Sequence, residues 1–213
     1  LLREAEIAMV RAKSDPAGRQ ALFEPSMSEQ TLERIDLEND LRRALERDEL
    51  RLHYQPLVDL ATDAVVGFEA LVRWQHPTRG LVPPLAFIPL AEETGLIVPV
   101  GTWVLEEACR QAHEWAITHT HQPPLMVTIN VSARQISQAD FCEVLRRALD
   151  KTGVDPATIC LEITEGAVMA DVDAAWTMLR QAKALGVYLA LDDFGTGFSS
   201  LSFLRQLRPD IVK

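Results

Sequence analysis

Four stretches of this chain carry one pattern: a small residue, then two places later an acid or amide, so that both lie on the same side of an extended strand. Gly67 precedes Glu69, Thr128 precedes Asn130, Cys160 precedes Glu162, and Ala190 precedes Asp192. A strand alternates its faces with a period of two. The opposite faces are therefore aliphatic: Val127, Ile129 and Val131; Ile159, Leu161 and Ile163; Val187, Leu189 and Leu191. Strands apolar on one face, and small then polar on the other, constrain the fold more tightly than any other feature here. The aliphatic face requires a covering layer, and the polar residues collect at the strands' C-terminal ends.

From Leu50 onward strand-like and helix-like segments alternate. The sequence predicts strands at "LRLHYQPLV", "VVGFEALVRW", "LMVTINV", "TICLEITE", "VYLALDD" and "DIVK". Between them it predicts helical segments over 84–117, 138–151 and 171–185, and a short helix after Ser199. Such alternation implies parallel strands with helical crossovers, as in a doubly wound sheet or a β/α barrel. The alternation of faces favours the barrel, whose active sites lie where the strands end. A complete barrel takes about 250 residues, so a barrel starting at Leu50 is expected to be cut short after about the sixth strand. Upstream, Glu29 to Glu49 reads as an amphipathic connecting helix with Leu37, Leu41 and Leu45 on one face, while Leu32 and Ile35 fall off that stripe. The start at Leu1, without methionine, reads as a piece of a longer protein.

Composition excludes several classes. A net charge of −10 argues against a nucleic-acid polymer as partner, since such binding needs lysine and arginine to displace counterions. The cysteines Cys109, Cys142 and Cys160 form no CxxC pair, which points away from disulfides and thiolate zinc and fits a reducing cytoplasm. His119 and His121 have metal-like spacing but sit in a polar loop and read as surface histidines. Trp74, Trp103, Trp115 and Trp176 read as packing residues.

The polar set carries the chemistry. Glu69, Glu162, Asp192 and Asp193 are carboxylates brought to one mouth, with Asn130 as a neutral oxygen donor. Without counter-charge they would repel and take up protons. Two divalent cations would balance them, and an all-oxygen donor set suits magnesium or manganese. Paired cations of this kind hydrolyse phosphodiesters. Lys213, ending the last strand, would orient the attacking water or offset developing charge.

The motifs "FEALVRW", "INVS", "LEITE", "DDFGTGFSSLSFL" and "DIVK" resemble, in that order, the EAL domain of bacterial cyclic di-GMP phosphodiesterases. The resemblance covers about residues 50–213. It implies a TIM-like β/α barrel that opens one phosphodiester bond of cyclic di-GMP to give linear pGpG, using two magnesium or manganese ions. It further implies Glu69, Asn130, Glu162, Asp192 and Asp193 as metal ligands, with Glu69, Asp193 and Lys213 in the catalytic set. Gln55, Leu71 and Arg73 match ligand-contacting positions, and Glu165 matches the glutamate that anchors the loop after the paired aspartates. Phe198 stands where many relatives have tyrosine. A metal-binding glutamate on a later strand would fall beyond Lys213.

Residues 1–28, through "REAEIAMVRAKSDPAGR" and "LFEPSM", resemble the tail of a GGDEF diguanylate cyclase domain. The implied order is therefore GGDEF remnant, connecting helix 29–49 and barrel 50–213, in a cytoplasmic protein whose upstream regions are compatible with a membrane tether. The resemblance also implies a homodimer through the loop and helix after Asp193. Two other readings accompany the enzyme: a silent cyclic di-GMP receptor of the same fold, and a barrel enzyme using Lys213 as base with a metal-stabilised enolate.

Overall fold

In the computed structural model the described residues are Met9, Leu22, 25–119, 124–195 and 208–213, with backbone alone for 25–30. Helix α1 (Pro25–Ala44) leads into strand β1 (Leu50–Val58), followed by β2 (Val65–His76) and β3 (Gly80–Val82). Helices α2 (Pro84–Thr94) and α3 (Ile97–Thr118) precede β4 (Met126–Asn130), α4 (Ala133–Ile136) and α5 (Phe141–Thr152). Then come β5 (Ile159–Thr164), α6 (Glu165–Ala170), α7 (Val172–Ala184), β6 (Tyr188–Asp192) and β7 (Ile211–Val212). One sheet joins them in the order β1-β2-β4-β5-β6-β7, with β3 beside β2.

The steps from β2 to β7 are parallel, as the alternation of segments predicts. The first step is not: β1 and β2 form an antiparallel hairpin, and β3 adds a second antiparallel edge. The linker 59–64 explains this, being too short for a crossover, which takes a dozen or more residues. Asp59 builds the turn by accepting from the N–H groups of Ala61 and Thr62 and from the Thr62 hydroxyl, while Asp63 takes φ 55°. The helical segment 84–117 is split by Gly95 at φ 82°, a left-handed cap for α2. The predicted helix after Ser199, the loop at Phe198, His121 and nearly all of segment 1–28 lie outside the described residues.

The aliphatic strand faces are buried under the helices: Val127, Ile129, Ile159, Leu161, Ile163, Leu189 and Leu191 all belong to one core with Leu105, Leu145 and Leu179. The other face is also closed at its lower level, where Thr128, Cys160 and Ala190 are buried. Small residues fill the curved interior, and larger polar ones fit only above them.

Helix α1 docks through the stripe the sequence shows: Leu41 and Ala44 are buried, Leu37 and Leu45 pack alongside, and Leu32 and Ile35 stay exposed. It begins earlier and ends earlier than its periodicity suggests, at Pro25 and Ala44. Its C-terminal half is tied to β2 by His76 Nε2 with Asp40 at 3.1 Å, and the following turn by Trp74 Nε1–H donating to Glu49 at 3.0 Å. Trp74 is fully buried and meets Phe87 edge to face, so it is a core residue. Among the described residues no helix is long and apolar enough to cross a membrane.

Candidate active site

Three of the strands that bear site residues end in a local device that fixes the backbone. After β4, Ser132 and Gln135 form a reciprocal capping box at the start of α4. After β5, Thr164 caps α6 by accepting from Ala167 N–H at 3.2 Å. After β6, Asp193 adopts φ 55°, a left-handed conformation that Asp tolerates better than most residues, and turns the chain out of the sheet. The S-x-x-Q signature at Ser132 was open to sequence reading and is absent from the expectations above.

Register decides which side chains meet. Glu69 is level with Thr128, not with Asn130; Asn130 is level with Glu162; Asp192 is level with Thr164, two residues beyond Glu162. This stagger is what a tilted, barrel-like sheet requires. The longer side chain of Glu69 closes the gap: Asn130 Nδ2 donates to Glu69 Oε1 at 2.8 Å. On the far side Lys213 Nζ donates to Glu162 Oε2, and Asp192 shares a hydrogen bond with Glu162. Glu69, Asn130, Glu162, Asp192 and Lys213 thus form one connected neighbourhood. Asp193 is exposed at its edge.

Glu162 is only 2% exposed, and burial pushes its carboxyl up to about 7; Lys213 pulls it down, while the Glu69 charge and the Asp192 hydrogen bond push it further up. Burial works against the Lys213 ammonium, but Glu162, Glu69 and Asp192 outweigh it and its pKa is raised. The site therefore holds more negative charge than one lysine can satisfy.

Gln55 lies directly across from Glu69 in the β1–β2 ladder, and Leu71 and Arg73 follow Glu69 on the same face of β2. Glu165 is buried, and its Oε2 accepts from Gly195 N–H at 3.3 Å in the turn after Asp193. Beside Asn130 and Leu71 opens a cavity of about 510 Å³ with a mainly apolar lining that includes Pro84, Ile88, Val100 and Thr164. Nothing in the sequence marked this space, which needs α2, α3 and the strand ends together.

Among the described residues no three acidic, histidine or cysteine side chains already surround one point; Glu69 is bonded by Asn130 and Glu162 by Lys213. The donor chemistry nonetheless suits a hard cation: the groups are oxygens, and Asn130, donating through Nδ2, keeps Oδ1 for coordination. The thiol beneath them, Cys160, is pushed up to about 12 by burial and stays neutral, so it is no thiolate ligand.

The family model described as EAL domain matches residues 38–213. The chain belongs to the EAL domain family. Residues 69–71 of the matched span read Glu-Ala-Leu, on β2. The bifunctional diguanylate cyclase/cyclic di-GMP phosphodiesterase MucR of Pseudomonas aeruginosa is 44% identical over 213 residues, covering 100% of this chain and 31% of that protein. The cyclic di-GMP phosphodiesterase PdeR of Escherichia coli is 40% identical over 213 residues, covering 100% of this chain and 32% of that protein. The PaMucR phosphodiesterase solved in complex with c-di-GMP matches with TM-score 0.78 and 45% identity, covering 83% of this chain and 71% of that one. The EAL chain thus spans about a third of the length of these curated relatives. Its α/β fold is the TIM-like barrel type of EAL structures, here as a curved sheet running from β1 to β7 among the described residues.

Proposed function

We propose that this EAL domain is the catalytic part of a phosphodiesterase that hydrolyses cyclic di-GMP to linear pGpG. The observation that carries the reading is the joined set of Glu69, Asn130, Glu162, Asp192 and Lys213 at the C-terminal edge of a sheet whose relatives include named cyclic di-GMP phosphodiesterases. Glu69, Asn130, Glu162, Asp192 and Asp193 would hold two magnesium or manganese ions. Such ions, when bound, supply a deprotonated water and neutralise phosphate charge.

The chain's own residues do the rest. Arg73 and Gln55 reach the ligand's phosphate and sugar edges from the shared face, and Leu71 packs on a base. The apolar cavity beside Asn130 and Leu71 has room for a guanine. Lys213 donates toward the water or the phosphorane oxygens as the new O–P bond forms and one ester P–O bond breaks. Glu165 holds the Gly195 turn so that Asp193 faces the site. In the same proposal residues 1–28 are the tail of a GGDEF domain, 29–49 connect it to the barrel, and the intact protein is a cytoplasmic homodimer. The test is chromatography of products from the full-length protein with magnesium: pGpG is expected, and tight binding without metal-dependent turnover would replace the enzyme by a receptor.

Metal uptake should also depend on pH in a calculable direction. The Glu162 carboxyl is raised from 4.5 to about 7, so between those values the folded metal-free protein holds a proton that the unfolded chain has lost. Its contribution to stability therefore declines as pH rises from about 4.5 to about 7. A cation must displace that proton, so manganese affinity should climb roughly tenfold per pH unit over this window and level off above it. Calorimetric titration in two buffers of different ionisation enthalpy measures the proton released; a flat affinity profile with no proton release would contradict the assignment.

A further inference from the structure

The lysine of the site sits at the end of a strand only two residues long, Ile211–Val212, whose ladder to β6 is too short to hold its own register. The bonds that hold it lie outside the strand. Asp210 N–H donates to the Leu189 carbonyl at 2.8 Å, and Leu189 N–H donates to Asp210 Oδ2 at 2.9 Å. The carboxylate thus takes the place of a strand carbonyl and extends the ladder by one pair. Its other oxygen, Oδ1, accepts from Lys183 Nζ at 3.1 Å, and the same ammonium donates to the Arg208 carbonyl at 2.5 Å. Arg208 has φ 45°, a left-handed conformation unfavourable for arginine, so the turn entering β7 needs such a partner. Beyond the strand, Lys213 N–H donates to the Leu191 carbonyl at 2.9 Å.

We infer that Asp210, fastened by Lys183 from the end of α7, is a positioning residue for Lys213. It acts by fixing the register of β7 on β6. A slip of one residue would turn Lys213 to the helix-covered face, and a slip of two would carry it about 7 Å along the sheet, away from Glu162. Neither Asp210 nor Lys183 touches the site, so the effect must pass through the backbone. The inference rests on the phosphodiesterase reading for its catalytic consequence, but not for its structural one.

Two measurements on the full-length protein separate these. In Asp210→Ala, kcat should fall about 30- to 100-fold with KM within about twofold, because position is lost and ligand contacts are kept. Asp210→Asn should recover only part of the rate, since its amide oxygen still accepts from Leu189 N–H but its NH2 cannot accept from Lys183. Asp210→Ala combined with Lys213→Ala should be no slower than Lys213→Ala alone, since a residue acting only through Lys213 has nothing left to place. Amide exchange at Leu189 and Lys213 should quicken in Asp210→Ala and in Lys183→Met, the latter carrying the test should Asp210→Ala not fold. Additive losses in the double variant, full activity in Asp210→Ala, or unchanged exchange at Leu189 would each overturn the inference. Wild-type protein inert toward cyclic di-GMP would instead sink the functional reading, and the exchange data would still decide the latch.

Discussion

Lys213→Ala should lower turnover of cyclic di-GMP by the full-length protein by about three orders of magnitude while leaving ligand binding within a few-fold of wild type. The reason is electrostatic. Lys213 Nζ donates to Glu162 in a neighbourhood that also holds Glu69 and Asp192. Its side chain is 28% exposed against 3% for Glu162, so the ammonium sits where charge in a reacting phosphate would feel it at reduced dielectric. Removing it takes away a preorganised donor and leaves the Glu162 carboxyl, raised by burial, without the ammonium that pulls it down. Lys213→Arg should recover little, because a planar guanidinium cannot copy a compact ammonium at a crowded strand end. Rapid-quench kinetics beside equilibrium binding make the check, and a variant with normal kcat would remove Lys213 from the mechanism.

Gly67→Ala should unfold the protein at a temperature lower by about 5–15 °C, corresponding to roughly 2–4 kcal/mol. Gly67 pairs with Met126 across the parallel β2–β4 step. A Cβ at Gly67 would lie 2.3 Å from the Met126 carbonyl oxygen and 3.1 Å from its carbon. Both are backbone atoms, so no rotamer change relieves the clash and the strands must part. Glu69, two residues along, would then move from Asn130, joining a stability defect to a site defect. Gly166→Ala is the control: nothing lies within 4 Å of its added Cβ, and it sits in helix α6. That change should be neutral or stabilise by up to about 1 kcal/mol. Thermal unfolding followed by circular dichroism distinguishes the two, and equal midpoints would refute the close-approach argument.

The pattern of small residue then acid was legible in the sequence because strand faces follow a period of two whatever the neighbours do. That period assigned Val127, Ile129, Leu161 and Leu189 to the covered side and Glu69, Asn130, Glu162 and Asp192 to the other, as the burial of the first group bears out. The stripe of Leu37, Leu41 and Leu45 on α1 was legible for the same kind of reason, the helical period. The antiparallel hairpin of β1 and β2 departs from the parallel steps that the general alternation implies, because periodicity carries no strand direction; only the length of linker 59–64 does. Asp210 escaped notice because a lone aspartate before a strand signals nothing until Leu189 N–H is seen to bond it.

From the sequence alone came the identity of the polar donors, the face each one occupies and the family to which the chain belongs. The tertiary structure alone decided how far each strand slides along the next: that Glu69 pairs level with Thr128 yet reaches Asn130, and that Lys213 meets Glu162. Local residue choice fixes which side of a strand a group projects from, but register is set by ladder bonds, sheet tilt and backbone contacts such as Gly67 against Met126, which exist only once separate segments are packed together.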